Sequence, residues 1–165
     1  MKNKIHIITS PNKLNCDKQG RFSIFLAGSI DQGSARDWQS EIIEQLKDFN
    51  VIVYNPRRKN WDKTWEQSLN NSLFVEQVTW EQHFLKEADY RIFVMTSDSK
   101  SPITLLELGQ YIKKPGIILC ETGFYRKANV QITSKIENMP IVDTMEELIN
   151  HLKVIILENQ MGNTI

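Results

Sequence analysis

Four short apolar runs, separated by segments with helical spacing, constrain the fold of this chain more than any other feature. The runs are 22–27, 51–54, 90–95 and 116–120. Because nearly every residue in each run is apolar, both faces of the predicted strands should be buried, as in a parallel sheet covered on both sides. Strands that alternate with helices predict a doubly wound α/β fold of the flavodoxin or Rossmann type. With a short strand at 140–142, we expect a five-stranded, mainly parallel sheet with helices on both faces.

The spacing of apolar residues also divides the chain. Helices are predicted over about 34–47, 65–87 (in one piece or two), 102–114 and 143–157, whereas 121–138 is expected to be irregular. Residues 1–21, with a short strand at 4–9 and a polar loop, form a predicted N-terminal appendage. Residues 22–157 form the main α/β domain, and 158–165 form a frayed tail.

Composition excludes several classes of protein. The 165 residues contain 20 Lys and Arg against 20 Asp and Glu, so there is no basic excess of the kind that nucleic-acid polymers or membrane surfaces attract. No apolar run approaches the ~20 residues of a membrane span, and the N-terminus lacks the apolar core of a signal peptide. Cys16 and Cys120 form no CxxC pair, which predicts a reduced, cytoplasmic chain.

The sequence favours no cofactor or metal. His6, His83 and His151 are scattered, so they do not form the spacing of a metal site. The glycine patterns of dinucleotide-binding and phosphate-binding loops are both absent. We therefore expect chemistry that uses side chains of the protein alone.

Glu107 is the first candidate for that chemistry. It lies beside Ile103, Leu106 and Tyr111 in the second turn of a strongly apolar helix that starts at the predicted carboxyl edge of the sheet. A carboxylate in such surroundings is costly to bury unless it is paired or used. Periodicity alone leaves a second interpretation open, a solvated glutamate on the outer face of the helix.

Glu81 is the second candidate. It takes a position in the stripe of Phe74, Val78, Leu85 and Ala88 where an apolar residue is expected. The alternative is a glutamate that reaches solvent or pairs with a lysine or arginine on the surface.

Loops that follow the predicted strands supply further candidates, since ligands of such sheets bind beyond the carboxyl ends of the strands. Gly28, Ser29 and Ile30 could hold an anion or a sugar hydroxyl through backbone N–H groups, or simply form a tight turn. Arg57 and its neighbour Arg58 could hold a phosphate, or could be a solvated pair.

Five segments, in this order, resemble the nucleoside 2-deoxyribosyltransferase family, specifically its deoxyribosyltransferase-like branch. They are Phe25-Leu-Ala-Gly-Ser-Ile, Tyr54-Asn-Pro-Arg-Arg with Trp61-Asp62, Trp80-Glu81 through Ala88-Asp89, Leu105-Leu-Glu-Leu-Gly-Gln-Tyr, and Gly123-Phe-Tyr-Arg-Lys-Ala-Asn-Val. The resemblance covers about residues 22–150, and the combination is more specific than any one segment.

The resemblance implies an enzyme of nucleotide metabolism and salvage that breaks the N-glycosidic bond of a 2′-deoxynucleoside with retention. Glu107 would attack the anomeric carbon and form a covalent sugar ester, which another base would then resolve. Glu81 would lie near the leaving base, and Gly28 and Ser29 would shape the pocket floor. Asn129 would reach the sugar bound by an adjacent subunit, so a homo-oligomer is implied, with a nucleoside or nucleotide and a free base as small-molecule partners.

Ser101 is the main departure from the family pattern. Transferases acting on free nucleosides carry an aspartate six residues before the nucleophile, where it holds the 5′-hydroxyl. Ser101 would suit a 5′-phosphate better, because it adds no like charge, although Asp31 would repel a phosphate placed close to it. A hydrolase of 2′-deoxynucleoside 5′-monophosphates, and a nucleotide-binding module without catalysis, therefore stay open beside the transferase.

Overall fold

The computed structural model describes residues 5–12, 18, 20–29, 36–59, 62 and 64–162. Cys16, Ile30, Asp31 and Trp61 lie outside these residues. The strands are β1 (His6–Thr9), β2 (Phe22–Gly28), β3 (Val51–Asn55), β4 (Tyr90–Met95), β5 (Gly116–Cys120) and β6 (Ile141–Val142). The helices are α1 (Trp38–Leu46), α2 (Ser72–Glu87), α3 (Pro102–Tyr111), α4 (Lys127–Glu137) and α5 (Met145–Gly162).

The strands form one parallel sheet in the order β1-β3-β2-β4-β5-β6. This confirms the parallel α/β architecture, but the expected number of five strands is wrong. The sixth strand is β1, which pairs with β3 from His6 opposite Ile52 to Thr9 opposite Asn55. As a short, partly exposed edge strand, β1 has only Ile8 buried among its four residues, and this is why its apolar signal was too weak to place it in the sheet.

The helix bounds differ from the sequence expectation at three places. The segment expected to be irregular contains α4, whose buried residues are only Val130 and Ser134, so its apolar periodicity is faint. Helix α2 begins at Ser72 rather than near residue 65, because the Asn71 side chain caps the backbone N–H groups of the first turn. Helix α5 continues to Gly162, through most of the predicted tail.

The helices cover the sheet in two layers. One face packs against α2, α3 and α4 through an apolar cluster that includes Phe84, Leu108 and Val130. The other face packs against α1 and α5 through a cluster that includes Trp38 and Leu152. Both clusters consist of residues that are almost fully buried, as expected for strands covered on both sides.

The strand order reverses at β2, which lies between β3 and β4. From β2 the chain runs through α1 to β3, and it then returns through α2 to β4 on the opposite side of β2. Helix α3 contacts both β2 and β4. A crevice between two helices is expected at such a reversal, beyond the carboxyl end of the strand.

Candidate active site

A cavity of about 650 Å³ lies at this crevice, between α2, α3 and the carboxyl end of β2. Much of its wall is apolar, with Phe25 and Ala27 of β2, Phe74 and Val78 of α2, and Leu106 of α3. Two carboxyl groups enter this apolar space, one from each helix.

Glu107 lies on the buried face of α3 together with Thr104 and Leu108, and only 5% of it is exposed. Ser101 and Pro102 start the helix beside the cavity, so the second turn brings Glu107 onto its wall. Burial, and then the negative charge of Glu81, raise the pKa of Glu107 to about 8. The interpretation of Glu107 as a solvated surface residue is therefore wrong.

Glu81 lines the cavity from α2. Within the described part of the chain, its carboxylate has no ion pair with a lysine or arginine. Gln77, one helical turn earlier, donates a hydrogen bond from Nε2 to Oε1 of Glu81 at 2.7 Å. Burial raises the pKa of Glu81 to about 7, although the hydrogen bond from Gln77 opposes this rise.

The two carboxyl groups form one titrating pair. Each pKa is raised towards neutrality by burial, and the charge on Glu81 makes ionisation of Glu107 harder still. Two carboxyls in such a site lose their protons in two coupled steps, so the pair holds one proton over a range of pH near neutral. A pair in this state offers one carboxylate and one carboxylic acid in the same cavity.

Gly28 and Ser29 form the turn at the cavity floor, and Gly28 is required there by packing. A Cβ atom at Gly28 would lie 2.3 Å from Cζ2 of Trp38 and 2.9 Å from the carbonyl oxygen of Val94. The Trp38 indole also donates from Nε1 to the carbonyl oxygen of Ser29 at 3.1 Å. The buried Trp38 of α1 thus holds the turn from the opposite face of the sheet.

Ser101 lies on the cavity wall and has a left-handed backbone, with φ 46° and ψ 46°. Its hydroxyl is 2.5 Å from the hydroxyl of Ser99, which in turn donates to the carbonyl oxygen of Thr96 at 3.3 Å. All three residues are buried. Ser101 therefore presents a neutral side chain to the cavity at the start of α3, with its hydroxyl held by Ser99.

Two predicted site residues lie away from the cavity wall. Arg57 turns towards the start of α1, with Nη1 3.4 Å from the carbonyl oxygen of Arg36 and Nε 3.8 Å from Oδ1 of Asp37. Asn129 is exposed in the first turn of α4. Neither residue contributes to the cavity of its own chain. Among the described residues, no three His, Cys, Asp or Glu side chains are grouped to hold a metal ion.

The sequence reasoning missed the polar residues of α2 and the segment before it that line the cavity. Gln77, Gln82 and Gln67 all lie on its wall. The spacing of four residues between Gln77 and Glu81 was a usable signal, since such residues are neighbours on a helix surface. A glutamine is common on any helix, however, and that spacing alone is not specific.

The model of one protein family, described as nucleoside 2-deoxyribosyltransferase like, matches residues 21–124. The chain belongs to this family. The matched part contains β2, α2 and α3, and therefore every element that forms the cavity wall. The resemblance found in the sequence motifs is confirmed at the level of the family.

Comparison with solved structures shows that the fold also occurs in another protein. The chain is similar to a conserved protein from Enterococcus faecalis V583, with a TM-score of 0.57 over 81% of this chain and 98% of that chain. The two sequences are 12% identical, so the likeness concerns the fold alone. No curated protein sequence matches the chain. Among the described helices, none is both long enough and apolar enough to cross a membrane.

Proposed function

We propose that this member of the deoxyribosyltransferase-like family cleaves the N-glycosidic bond of a 2′-deoxynucleoside and transfers the sugar to another base. The observation that carries this proposal is the pair of Glu107 and Glu81 in one apolar cavity. One ionised and one protonated carboxyl group are what a retaining glycosyl transfer requires. The reaction requires the singly protonated form in which Glu81 carries the proton and Glu107 the charge, whereas the higher pKa of Glu107 favours the opposite form without substrate. Substrate binding must therefore move the proton to Glu81.

In the first step, a carboxylate oxygen of Glu107 attacks the anomeric carbon as the bond from that carbon to the base nitrogen breaks. The bonding electrons leave with the base, which takes a proton from Glu81. In the second step the nitrogen of an incoming base attacks the anomeric carbon and loses its proton to Glu81. The ester bond breaks and Glu107 leaves as a carboxylate. The absence of a 2′-hydroxyl makes the intervening oxocarbenium-like transition states easier to reach.

A second candidate function is hydrolysis of a 2′-deoxynucleoside 5′-monophosphate. The neutral start of α3 favours it, because Ser101 on the cavity wall adds no like charge beside a phosphate and the backbone N–H groups of the first helical turn can bind one. Water would then replace the incoming base in the second step. Arg57 is not part of this proposal, since it is engaged at the start of α1.

The decisive experiment incubates the protein with each 2′-deoxynucleoside and its 5′-monophosphate, with and without an acceptor base. Chromatography separates the outcomes. A new nucleoside indicates transfer, a free sugar or sugar phosphate indicates hydrolysis, and binding without turnover indicates a module without catalysis. Glu107→Gln should abolish base release, and a covalent sugar adduct on Glu107 should be detectable by mass spectrometry. Full base release by Glu107→Gln would overturn the assignment of the nucleophile.

We also propose a homo-oligomer in which Asn129 completes the site of a neighbouring subunit. On α4 and the turn before it, Tyr125, Ile132 and Ile136 are all more than half exposed. The spacing of three and four residues from Asn129 to Ile132 and on to Ile136 places these three on one face of α4, and Tyr125 lies in the turn before it. An exposed apolar stripe of this kind is typical of a surface that another chain covers.

Subunit mixing tests this arrangement. Glu107→Gln and Asn129→Ala oligomers should each have little activity. If the oligomer is a dimer, each mixed dimer carries one intact site out of two. Random exchange makes about half of the dimers mixed, so it should restore about a quarter of wild-type activity. The proposal would be contradicted if activity does not recover once subunit exchange has been verified. A monomer that is fully active would also contradict it.

A further inference from the structure

The side chain of Gln77 is almost completely buried and is held by three partners. Its Nε2 donates to the carbonyl oxygen of Pro56 at 2.9 Å and to Oε1 of Glu81 at 2.7 Å. Its Oε1 accepts a hydrogen bond from the hydroxyl of Ser10 at 2.6 Å. The amide therefore links the end of β1, the loop after β3 and the carboxyl group of Glu81.

These partners fix the orientation of the amide. A carbonyl oxygen can only accept, so the Gln77 nitrogen must face Pro56, and the oxygen must face Ser10. One N–H group then remains, and it is directed at Glu81. Since both N–H groups are used, Gln77 has no donor left for a ligand in the cavity.

We infer that Gln77 is a positioning residue for the acid of the reaction: it occupies Oε1 of Glu81 and leaves Oε2 to carry the proton that the departing base receives. This inference rests on the proposed function. Glu81 becomes negative as it gives up its proton, and a hydrogen bond to an ionised oxygen is stronger than one to a neutral oxygen. Gln77 therefore stabilises the charge that develops on Glu81 in the transition state.

The surroundings of Glu81 make this donor matter. Among the described residues that line the cavity, Glu107 on α3 is the other titratable group, and it brings no positive charge that could stabilise the carboxylate of Glu81. Neutral residues form the parts of the cavity wall that come from β2 and the turn after it, from Pro56 and Gln67, and from the start of α3. Gln77 is thus the identified group that favours the carboxylate form of Glu81, in agreement with its lowering of the Glu81 pKa.

Residues 10–12 contact α2 through two hydrogen bonds. Ser10 orients the Gln77 amide, and the carbonyl oxygen of Asn12 accepts a hydrogen bond from Nε1 of Trp80 at 2.7 Å. These two contacts hold the part of α2 directly before Glu81, from Gln77 to Trp80. The segment after β1 therefore supports the site although it lies outside the matched family region.

Gln77→Met tests the inference, because it keeps the length of the side chain and removes the donor. Cleavage of an ordinary deoxynucleoside should slow by roughly tenfold to a hundredfold, as expected when a general acid is weakened. A 7-methylated purine deoxynucleoside already carries a positive charge on its base, so this base leaves without protonation. Its cleavage by the variant should stay within about threefold of wild type, because it bypasses the acid.

The pH dependence gives a readout that a merely structural role would not move. Loss of the Gln77 donor should raise the pKa of Glu81, so the alkaline limb of the kcat/KM profile should shift to higher pH. Carboxyl ¹³C NMR of Glu81 measures the same shift without turnover. Gln45→Met, an identical change on the exposed face of α1, serves as the control and should alter neither measurement.

The possible outcomes are distinct. An equal slowing of both substrates, or an unshifted pKa of Glu81, would overturn the inference while leaving the function in place. Failure of the wild-type protein to release a base from any 2′-deoxynucleoside or its 5′-monophosphate would instead overturn the function, and the NMR titration would still decide the role of Gln77. If Gln77→Met does not fold, Ser10→Ala decides, because it removes only a hydroxyl and should shift the pKa of Glu81 in the same direction by a smaller amount.

Discussion

Glu107→Gln should make the protein more stable, and the gain should depend on pH. The Glu107 side chain is 5% exposed, and its pKa is raised from 4.5 to about 8. An acid with a raised folded-state pKa gives stability that is fully present below the unfolded-state pKa and is lost as pH rises through the folded-state pKa. At ~1.4 kcal/mol for each tenfold change in affinity for the proton, ionisation of Glu107 should lower the free energy of unfolding by about 5 kcal/mol.

The neutral amide of Glu107→Gln avoids this loss. Its stabilisation should grow from under about 1 kcal/mol at pH 5 to about 5 kcal/mol at pH 9, with the largest change between the two pKa values. Urea unfolding of both proteins at several pH values and one fixed protein concentration measures the difference. Glu87→Gln, which removes an exposed carboxylate at the end of α2, sets the baseline. A stability difference that is constant from pH 5 to pH 9 would refute the reasoning.

Two further predictions concern the ends of the cavity. Gly28→Ala should lower the free energy of unfolding by about 1–3 kcal/mol, since its Cβ would overlap Trp38 and the carbonyl of Val94. Urea unfolding checks this, and an unchanged midpoint would show that the indole can move aside. Ser101→Asp should lower kcat/KM for a 5′-monophosphate by roughly tenfold or more, because it places a like charge at the subsite, while turnover of the free nucleoside is kept. Steady-state kinetics with both substrates tests it, and an equal loss for both would contradict a phosphate at Ser101.

The sheet was predictable because its central strands are apolar on both faces. The predicted runs at 22–27, 51–54, 90–95 and 116–120 all coincide with observed strands within a residue. What failed lies at the margins, where burial is partial. Strand β1 buries one residue of four, and α4 buries Val130 and Ser134 alone among eleven residues. Apolar periodicity can only report elements whose buried face is wide enough to leave a pattern.

The carboxyl pair was also accessible from sequence, for a related reason. Glu107 and Glu81 each interrupt an apolar pattern, and the structure places both at the cavity. The packing reason for Gly28 was not accessible, because it depends on Trp38 arriving from the opposite face of the sheet. The direction of Arg57 was equally hidden, since the backbone carbonyl and carboxylate that it meets belong to the start of α1. Contacts between distant segments of the chain leave no local signature.

The topology explains why two ordinary helices can form one acid–nucleophile pair. The chain crosses over β2 through α2 on its way from β3 to β4, and α3 then follows on the same face. Two consecutive helices thereby meet above the carboxyl end of β2, and a glutamate on each can enter the same space. Burial alone raises the pKa of either carboxyl group, but only their meeting in one cavity lets the charge of Glu81 raise the pKa of Glu107 further. The proposed chemistry thus depends on the reversal of strand order at β2 as much as on the two glutamates.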